Sequence, residues 1–344
     1  MNNMIIERWK YLYHLVIEIG KLEPWDKYWD GDLFVIHPKN YEEPFYCSIM
    51  GKECKCYGIS VYEGEEGLKG FLRLASNEYP YITTTYQMGI QNCLVCYYDG
   101  KYEQVSYENM EIIDKCGFDF DDGEYIYFVE FAKGYYPSFI SEDKLEKLIS
   151  VYEGLLYGLN YMLDNDFEPD FDDNEILCCY ADNHGWKVKT VDKPLMRTDL
   201  YPCYEDDFLD EESNLEIYNG FKYNDMELVV DMDYLFCPVE NDEGKDVNLL
   251  VILFIDLTHD CILNVINIKP DEDEQEELVD YFKALLCSYG KFESVSARNP
   301  VVLNSLYPIC EALDIDLYEE DLEFVDEIFD DFRDLEPESE GLMS

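Results

Sequence analysis

The chain has 344 residues, with 25 Lys and Arg against 77 Asp and Glu and a formal charge of −52. At 47% hydrophobic and 16% aromatic residues it is too apolar for an acidic disordered chain, and its length suits two domains rather than one core. The charge excludes plain electrostatic binding to DNA, RNA or anionic lipid. No run of about 18 apolar residues is present to span a membrane, and the N-terminal MNNMIIERWKYLYH lacks the pattern of a signal peptide.

Ile5, Trp9, Leu12, Val16 and Ile19 recur at helical spacing, so 3–21 reads as a helix that Pro24 stops. Strand-like runs follow at 33–37, 45–50 and 56–62, and 63–75 resembles a short helix. CLVCYYDGKYEQV at 93–105 reads as a hairpin that turns at Asp99-Gly100. A helix over 107–116 ends at Gly117, YIYFVEF at 125–131 is a strand, and Ser141 is a good N-cap for a helix to about Leu163. Strands at 175–181 and 186–191 close this region, and Pro194, Pro202 and the acidic run 205–216 read as a linker or solvated arm.

Beyond it, 226–232 is a candidate strand, 248–257 a buried strand, and 261–268 its return after a turn at 258–260. A helix over 272–289 ends at Gly290. A strand at 292–298, a helix from Pro300 to about 313, a strand at 315–318 and an acidic helix over 319–332 complete the order. The expected fold is therefore α+β. It comprises a mixed domain over 1–195, an acidic linker over 196–220, a smaller α/β domain over 221–334 and a polar tail over 335–344. Residues 1–195 hold 17 cations and 36 carboxylates, for −19; the remainder holds 8 and 41, for −33, so the acid is concentrated in the C-terminal part.

Thirteen cysteines without a secretory signal read as reduced core thiols of a cytoplasmic protein. Cys54 and Cys56 share a strand face. Cys93 and Cys96 form a CxxC inside a strand and point to opposite faces, as do Cys178 and Cys179. None has the turn-borne spacing of a zinc site, and His14, His37, His184 and His259 are not at finger spacing.

Several segments carry a resemblance. PWDKYWDGDLFVIHP, FYCSIMG, YGISVYEGEEGL and CGFDFDDGEYIYFVEFAKGYYPSF, with their Pro24-Trp25, Met50-Gly51 and Tyr62-x-Gly64-x-x-Gly67 marks, resemble a family of uncharacterised two-domain bacterial proteins. The run from VILFIDLTHDCIL to SLYPICEALDIDL is similar to that family's small second domain, and its order of strands and helices is similar to a trimmed ribonuclease H-like fold. The resemblance implies a domain layout and says nothing of activity.

Active enzymes of the ribonuclease H-like layout hold two Mg²⁺ ions on carboxylates of the first strand, a helix and the fourth strand. Asp256 fits the first position and Glu276 or Asp280 the helix, but Ser296, Ala297 and Arg298 offer no further carboxylate. Asp164, Asp166, Glu168 and Glu175 fall at EF-hand spacing, yet Pro169 stands where the loop needs glycine and a strand-like segment follows. Glu65 and Glu66 between Gly64 and Gly67 would repel phosphate, so those glycines read as a strand-to-helix turn. Trp25, Tyr28 and Trp29 read as an aromatic core cluster rather than a ligand cleft.

What remains is charge. Leu322, Val325, Phe329 and Phe332 form one apolar stripe, which leaves Glu320, Glu323, Glu327, Asp330 and Asp331 as an acidic ridge. The expected function is a non-enzymatic protein that works through contacts with basic protein surfaces, without a cofactor, direct nucleic-acid binding or a membrane. A DNA-mimic inhibitor of a nucleic-acid-binding protein and a degenerate or active metal-dependent nuclease are the alternatives. A charge of −52 destabilises the compact state by self-repulsion, which salt screens. The melting temperature should therefore rise between low salt and about 0.3 M NaCl; a flat profile by calorimetry would show that the charges are already compensated.

Overall fold

The computed structural model describes residues 3–53, 56–76, 78–120, 124–193, 200–204, 220–241 and 244–334. Cys54, Pro194, the acidic run 205–216 and the tail from Glu336 lie outside them. The described residues are α+β, with eight α-helices and two mixed sheets. The chain divides into two compact units, one of Met1–Ala75, Gln91–Ala132 and Pro137–Arg197, the other of Ser76–Ile90, Lys133–Tyr136 and Thr198–Ser344. Segments 76–90 and 133–136 thus leave the 1–195 stretch to join the second unit. Tyr201, read as part of a linker, is buried in that unit's core.

The first unit is a seven-stranded sheet of β1 (Phe34–His37), β2 (Phe45–Met50), β3 (Gly58–Glu63), β4 (Cys93–Gly100), β5 (Tyr125–Phe131), β6 (Glu175–Asp182) and β7 (Gly185–Asp192). Their order is β5-β4-β3-β2-β1-β6-β7, antiparallel except for the parallel β1–β6 pair. Strict alternation sends Phe34 and Ile36 to one face and Leu33 and Val35 to the other. Helices α1 (Asn3–Gly20), α4 (Tyr107–Cys116) and α5 (Glu142–Asn165) cover the first face, and α2 (Gly64–Ala75) covers the second. Cys93 and Cys178 sit on the α2 face and Cys96 and Cys179 on the other, as the spacing required. Burial pushes the Cys93 and Cys179 thiols up to about 12, so both are neutral core groups.

One local expectation fails, and one holds in position but not in its hydrogen bond. No hairpin forms at Asp99-Gly100: β4 runs through Gly100, and a short 3₁₀ turn over Tyr102–Gln104 follows. The glycine marks an irregularity in the β4–β5 register, where any Cβ would strike the Tyr127 ring. Ser141 has N-cap geometry but makes no capping hydrogen bond; its hydroxyl donates to Glu130 Oε2 instead, at 3.5 Å.

The second unit holds β8 (Glu227–Glu240), β9 (Asp246–Asp256), β10 (Cys261–Ile268), β11 (Ser294–Ala297) and β12 (Asp316–Glu319). The order is β10-β9-β8-β11-β12; β8, β9 and β10 are antiparallel, while β11 and β12 run parallel to β8. Strand β8 is far longer than 226–232 and passes Pro238 by way of a register shift and a left-handed Phe236, at φ 52°. Helices α6 (Glu274–Tyr289) and α7 (Pro300–Leu313) pack on the face of Leu228, Val230, Met232 and Tyr234. Helix α8 (Glu323–Asp334) starts four residues later than expected, because Glu319 still belongs to β12.

Helix α3 (Thr84–Gly89), absent from the sequence reading, is capped by Thr83 and buries Tyr86 in the same core. Gly89 lies so close to Tyr234 that a Cβ would enter the ring. Gly89→Ala should therefore lower stability by about 1–3 kcal/mol through overpacking. Urea denaturation checks it, and an unchanged midpoint would mean that α3 yields freely.

Candidate functional site

Alternation along β8 also decides its other face. Val229, Asp231, Asp233 and Leu235 share it, and only two of these four are apolar. Val229 and Leu235 join Val251, Leu253 and Ile255 of β9 beneath Leu322, Val325 and Phe329, so α8 lies on this face through its apolar stripe. The two aspartates are sealed under the helix, 1% and 2% exposed at their side chains, and a buried carboxylate needs a partner.

Each has an arginine. Arg298 follows β11, whose Ser296 stands beside Val229, so two residues on in both strands the guanidinium meets Asp231. Its Nε donates to Asp231 Oδ2 at 2.8 Å and its Nη2 to Asp326 Oδ1 on α8 at 2.6 Å. Arg298 is 3% exposed, and Asp231 Oδ1 is buried with no hydrogen-bond partner. Arg333, from the last turn of α8, donates through Nη2 to Asp233 Oδ2 at 2.9 Å and to the Tyr234 carbonyl at 3.0 Å, and through Nη1 to Asp330 Oδ1 at 2.8 Å. Thr85 of α3 donates its hydroxyl to Asp233 Oδ2 at 2.6 Å. Asn299 completes the cluster, with Nδ2 on the Met232 carbonyl and Oδ1 accepting from the Val301 amide.

Burial pushes the Asp231 carboxyl up to about 7, against the opposing pull of Arg298. Asp233 is also raised by burial, with Thr85 and Arg333 opposing. Chemically the arrangement is closed. Its carboxylates already serve guanidinium groups, and what they hold is α8.

The residues singled out from sequence lie elsewhere. Asp256 is at the end of β9, the second strand of its sheet, where its carboxylate accepts from the His259 amide at 3.2 Å and lies 2.6 Å from His259 Nδ1, closing the β9–β10 turn. Glu276 and Asp280 are exposed on α6, and Asp280 stands 3.8 Å from Lys283. Among the described residues no group of three or more His, Cys, Asp or Glu side chains is placed to hold a metal. At the EF-hand-like spacing, Asp166 caps α5 in a left-handed conformation and Glu175 opens β6, so the second helix that such a loop requires is replaced by a strand. Glu320, Glu323, Glu327, Asp330 and Asp331 are all exposed, and Asp330 is paired with Arg333.

The resemblance marks are structural. Trp25 packs on Tyr57 and Tyr98, with ring centroids 5.2 and 4.9 Å apart, and Gly51, at φ 132°, leaves only 2.5 Å between a would-be Cβ and Tyr57. Gly64 opens α2 at φ 64°, and a Cβ on Gly67 would lie 2.9 Å from the Tyr62 backbone. Tyr28 is core, whereas Trp29 is half exposed with Lys52 Nζ 5.3 Å from its ring.

Sequence reasoning does not join Asp231, Asp233, Arg298 and Arg333, because a strand ending at 232 omits Asp233 and no local pattern ties these acids to arginines so far along the chain. The available signal was Asp-x-Asp inside the apolar run ELVVDMDYLF, two acids on one face of a buried strand.

Residues 9–178 match a family described as a domain of unknown function (DUF7309), and residues 219–333 match a second, described as a domain of unknown function (DUF6930). No curated protein and no solved structure matches the chain. Among the described residues no helix is long and apolar enough to cross a membrane.

Removing one partner of a buried ion pair strands the other. Arg298→Met should cost about 3–5 kcal/mol near neutral pH, and adding Asp231→Leu should recover most of it. Urea denaturation of both variants checks this; losses that simply add would mean the pair is uncoupled.

Proposed function

We propose that this protein is a non-enzymatic, acidic binding protein whose partners present Lys- and Arg-rich surfaces. The observation that carries the reading is the outer face of α8. Its inner stripe is buried, so Glu323, Glu327 and Asp331, with Glu320 just before the helix, are held outward on a fixed element. A rigid row of carboxylates in a chain of −52 favours a cationic partner and repels an anionic one. DNA mimicry is a narrower form of this reading, in which the cationic partner is a nucleic-acid-binding protein.

The nuclease reading draws on the second unit, whose order of three strands, helix, strand, helix, strand supports a ribonuclease H-like layout with one more leading strand than the trimmed form. That extra strand moves Asp256 to the second position. The carboxylates of the true first strand, Asp231 and Asp233, are bound to arginines, which favours a layout retained without its chemistry.

Replacing Glu320, Glu323 and Glu327 by Gln leaves the stripe intact and removes the ridge's charge. Binding of a fluorescent poly-lysine probe should weaken about tenfold in the variant at low salt, and wild-type binding should weaken steeply by about 0.3 M NaCl. Equal affinity of both proteins with an unchanged melting temperature would reduce the ridge to a solvated face.

A further inference from the structure

One guanidinium serves two carboxylates of different standing. Arg298 gives Nε to Asp231, which is fully buried, and Nη2 to Asp326, which is half exposed and belongs to α8. Asp231 has one oxygen on Arg298 and the other buried without a partner. A carboxyl so placed is short of donors and is a natural seat for a proton.

We propose that Asp231, Arg298 and Asp326 form a proton-operated clasp that sets how firmly α8 is held on the sheet. With Asp231 neutral, the guanidinium charge faces Asp326 alone, and the bond from the segment after β11 to α8 is at its strongest. With Asp231 ionised, two carboxylates share that charge, a buried anion repels Asp326, and its second oxygen is unpaired. Acidification therefore tightens α8 and alkalinisation loosens it.

The surroundings do not cancel this. On β8 the nearest charged neighbour is Asp233, which Arg333 of α8 and Thr85 of α3 already hold. Strand β9 offers the apolar Leu249, Val251, Leu253 and Ile255 to this face, and α8 contributes Asp326 and Arg333, the latter shared with Asp330. Burial is the largest influence on Asp231 and lifts it to about 7, although Arg298 and the Met232 backbone amide pull it down; Asp233 pushes it further up. The sign follows by linkage. The docked state binds a proton that an ordinary exposed carboxyl would release, so its advantage is full below about pH 4, declines as pH rises and is gone above about pH 7.

The test is hydrogen exchange of the full chain, read on peptides covering α8 and corrected for the intrinsic pH dependence of exchange. Protection of α8 should fall about tenfold between about pH 6 and pH 8.5, while α6, on the opposite face of the sheet, changes much less. Asp231→Asn should keep α8 protected and flatten its profile. Asp326→Asn, at a half-exposed position that folding tolerates, should lower α8 protection at about pH 6 and keep a slope, because burial of Asp231 is unchanged. A flat wild-type profile, an equal fall in α6 as general charge repulsion would give, a wild-type slope surviving in Asp231→Asn, or wild-type protection at about pH 6 in Asp326→Asn would overturn the clasp.

Discussion

The pairing of two buried aspartates with two arginines is the constraint around which the second unit is arranged. Strand β8 is the middle strand of five, bonded to β9 on one side and β11 on the other. Placing carboxylates at 231 and 233 at its centre would be costly by several kcal/mol each if they were left alone. Their partners come from far along the chain: Arg298 lies 67 residues from Asp231 and Arg333 100 from Asp233. The ion pairs can form only when β11 is in register and α8 is docked, so they report on a correct assembly as well as contributing to it. Hydrophobic contact alone would let an amphipathic helix slide by a turn on a flat apolar face, whereas two guanidinium–carboxylate bonds at opposite ends of α8 do not survive such a slip.

This use of arginine bears on the surface. The chain has 25 cations for 77 carboxylates, and in the second unit two of the cations, Arg298 and Arg333, are turned inward. Arg298 and Arg333 compensate the buried acid and, on α8, reach only Asp326 and Asp330, so Glu323, Glu327 and Asp331 face solvent. The strong negative field outside and the neutral cluster within thus have one origin, since arginines held beneath the helix are unavailable above it. The same division explains why the ridge can exist without dislodging its helix: the apolar stripe and the two arginines hold the inner side, while the outer carboxylates repel one another in solvent, where water and salt screen them.

Most of the architecture was legible because its signals are periodic. Alternating apolar runs located the strands, and the stripe of Leu322, Val325 and Phe329 located both α8 and its docking face. The failures are of three physical kinds. Gly100 was read as a turn because the dipeptide Asp-Gly often makes one, but tertiary contact with Tyr127 explains it. Strand β8 was cut at 232 because Pro238 and a bulge break the pattern, although the partner strand β9 carries the pairing past them. The charged cluster was invisible because no local pattern joins Asp231 to Arg298 or Asp326; only the fold brings them together. Placing Asp256 on a first strand starts the second unit at 248–257 and leaves out the candidate strand at 226–232; β8 makes Asp256 the end of the second strand.

Helix α3 shows what the interleaved chain demands of folding. Its sequence, TTYQMG, is too short and too weakly periodic to announce a helix, and alone it would not be one. It exists because Tyr86 is buried against Tyr234, with ring centroids 5.8 Å apart, and because Thr85 donates to Asp233, a contact spanning 148 residues. During synthesis those groups must wait for β8 to follow the whole of the first unit. Contacts of such separation close late and slow the search for the native state. Until then Tyr79, Ile82, Tyr86 and Ile90 are apolar side chains of the second core carried by a chain that has not yet made it. The dense negative charge offers a compensating benefit at this stage, since repulsion between chains opposes the association that exposed apolar segments invite. Self-repulsion that costs stability in the folded state thus protects the incomplete one.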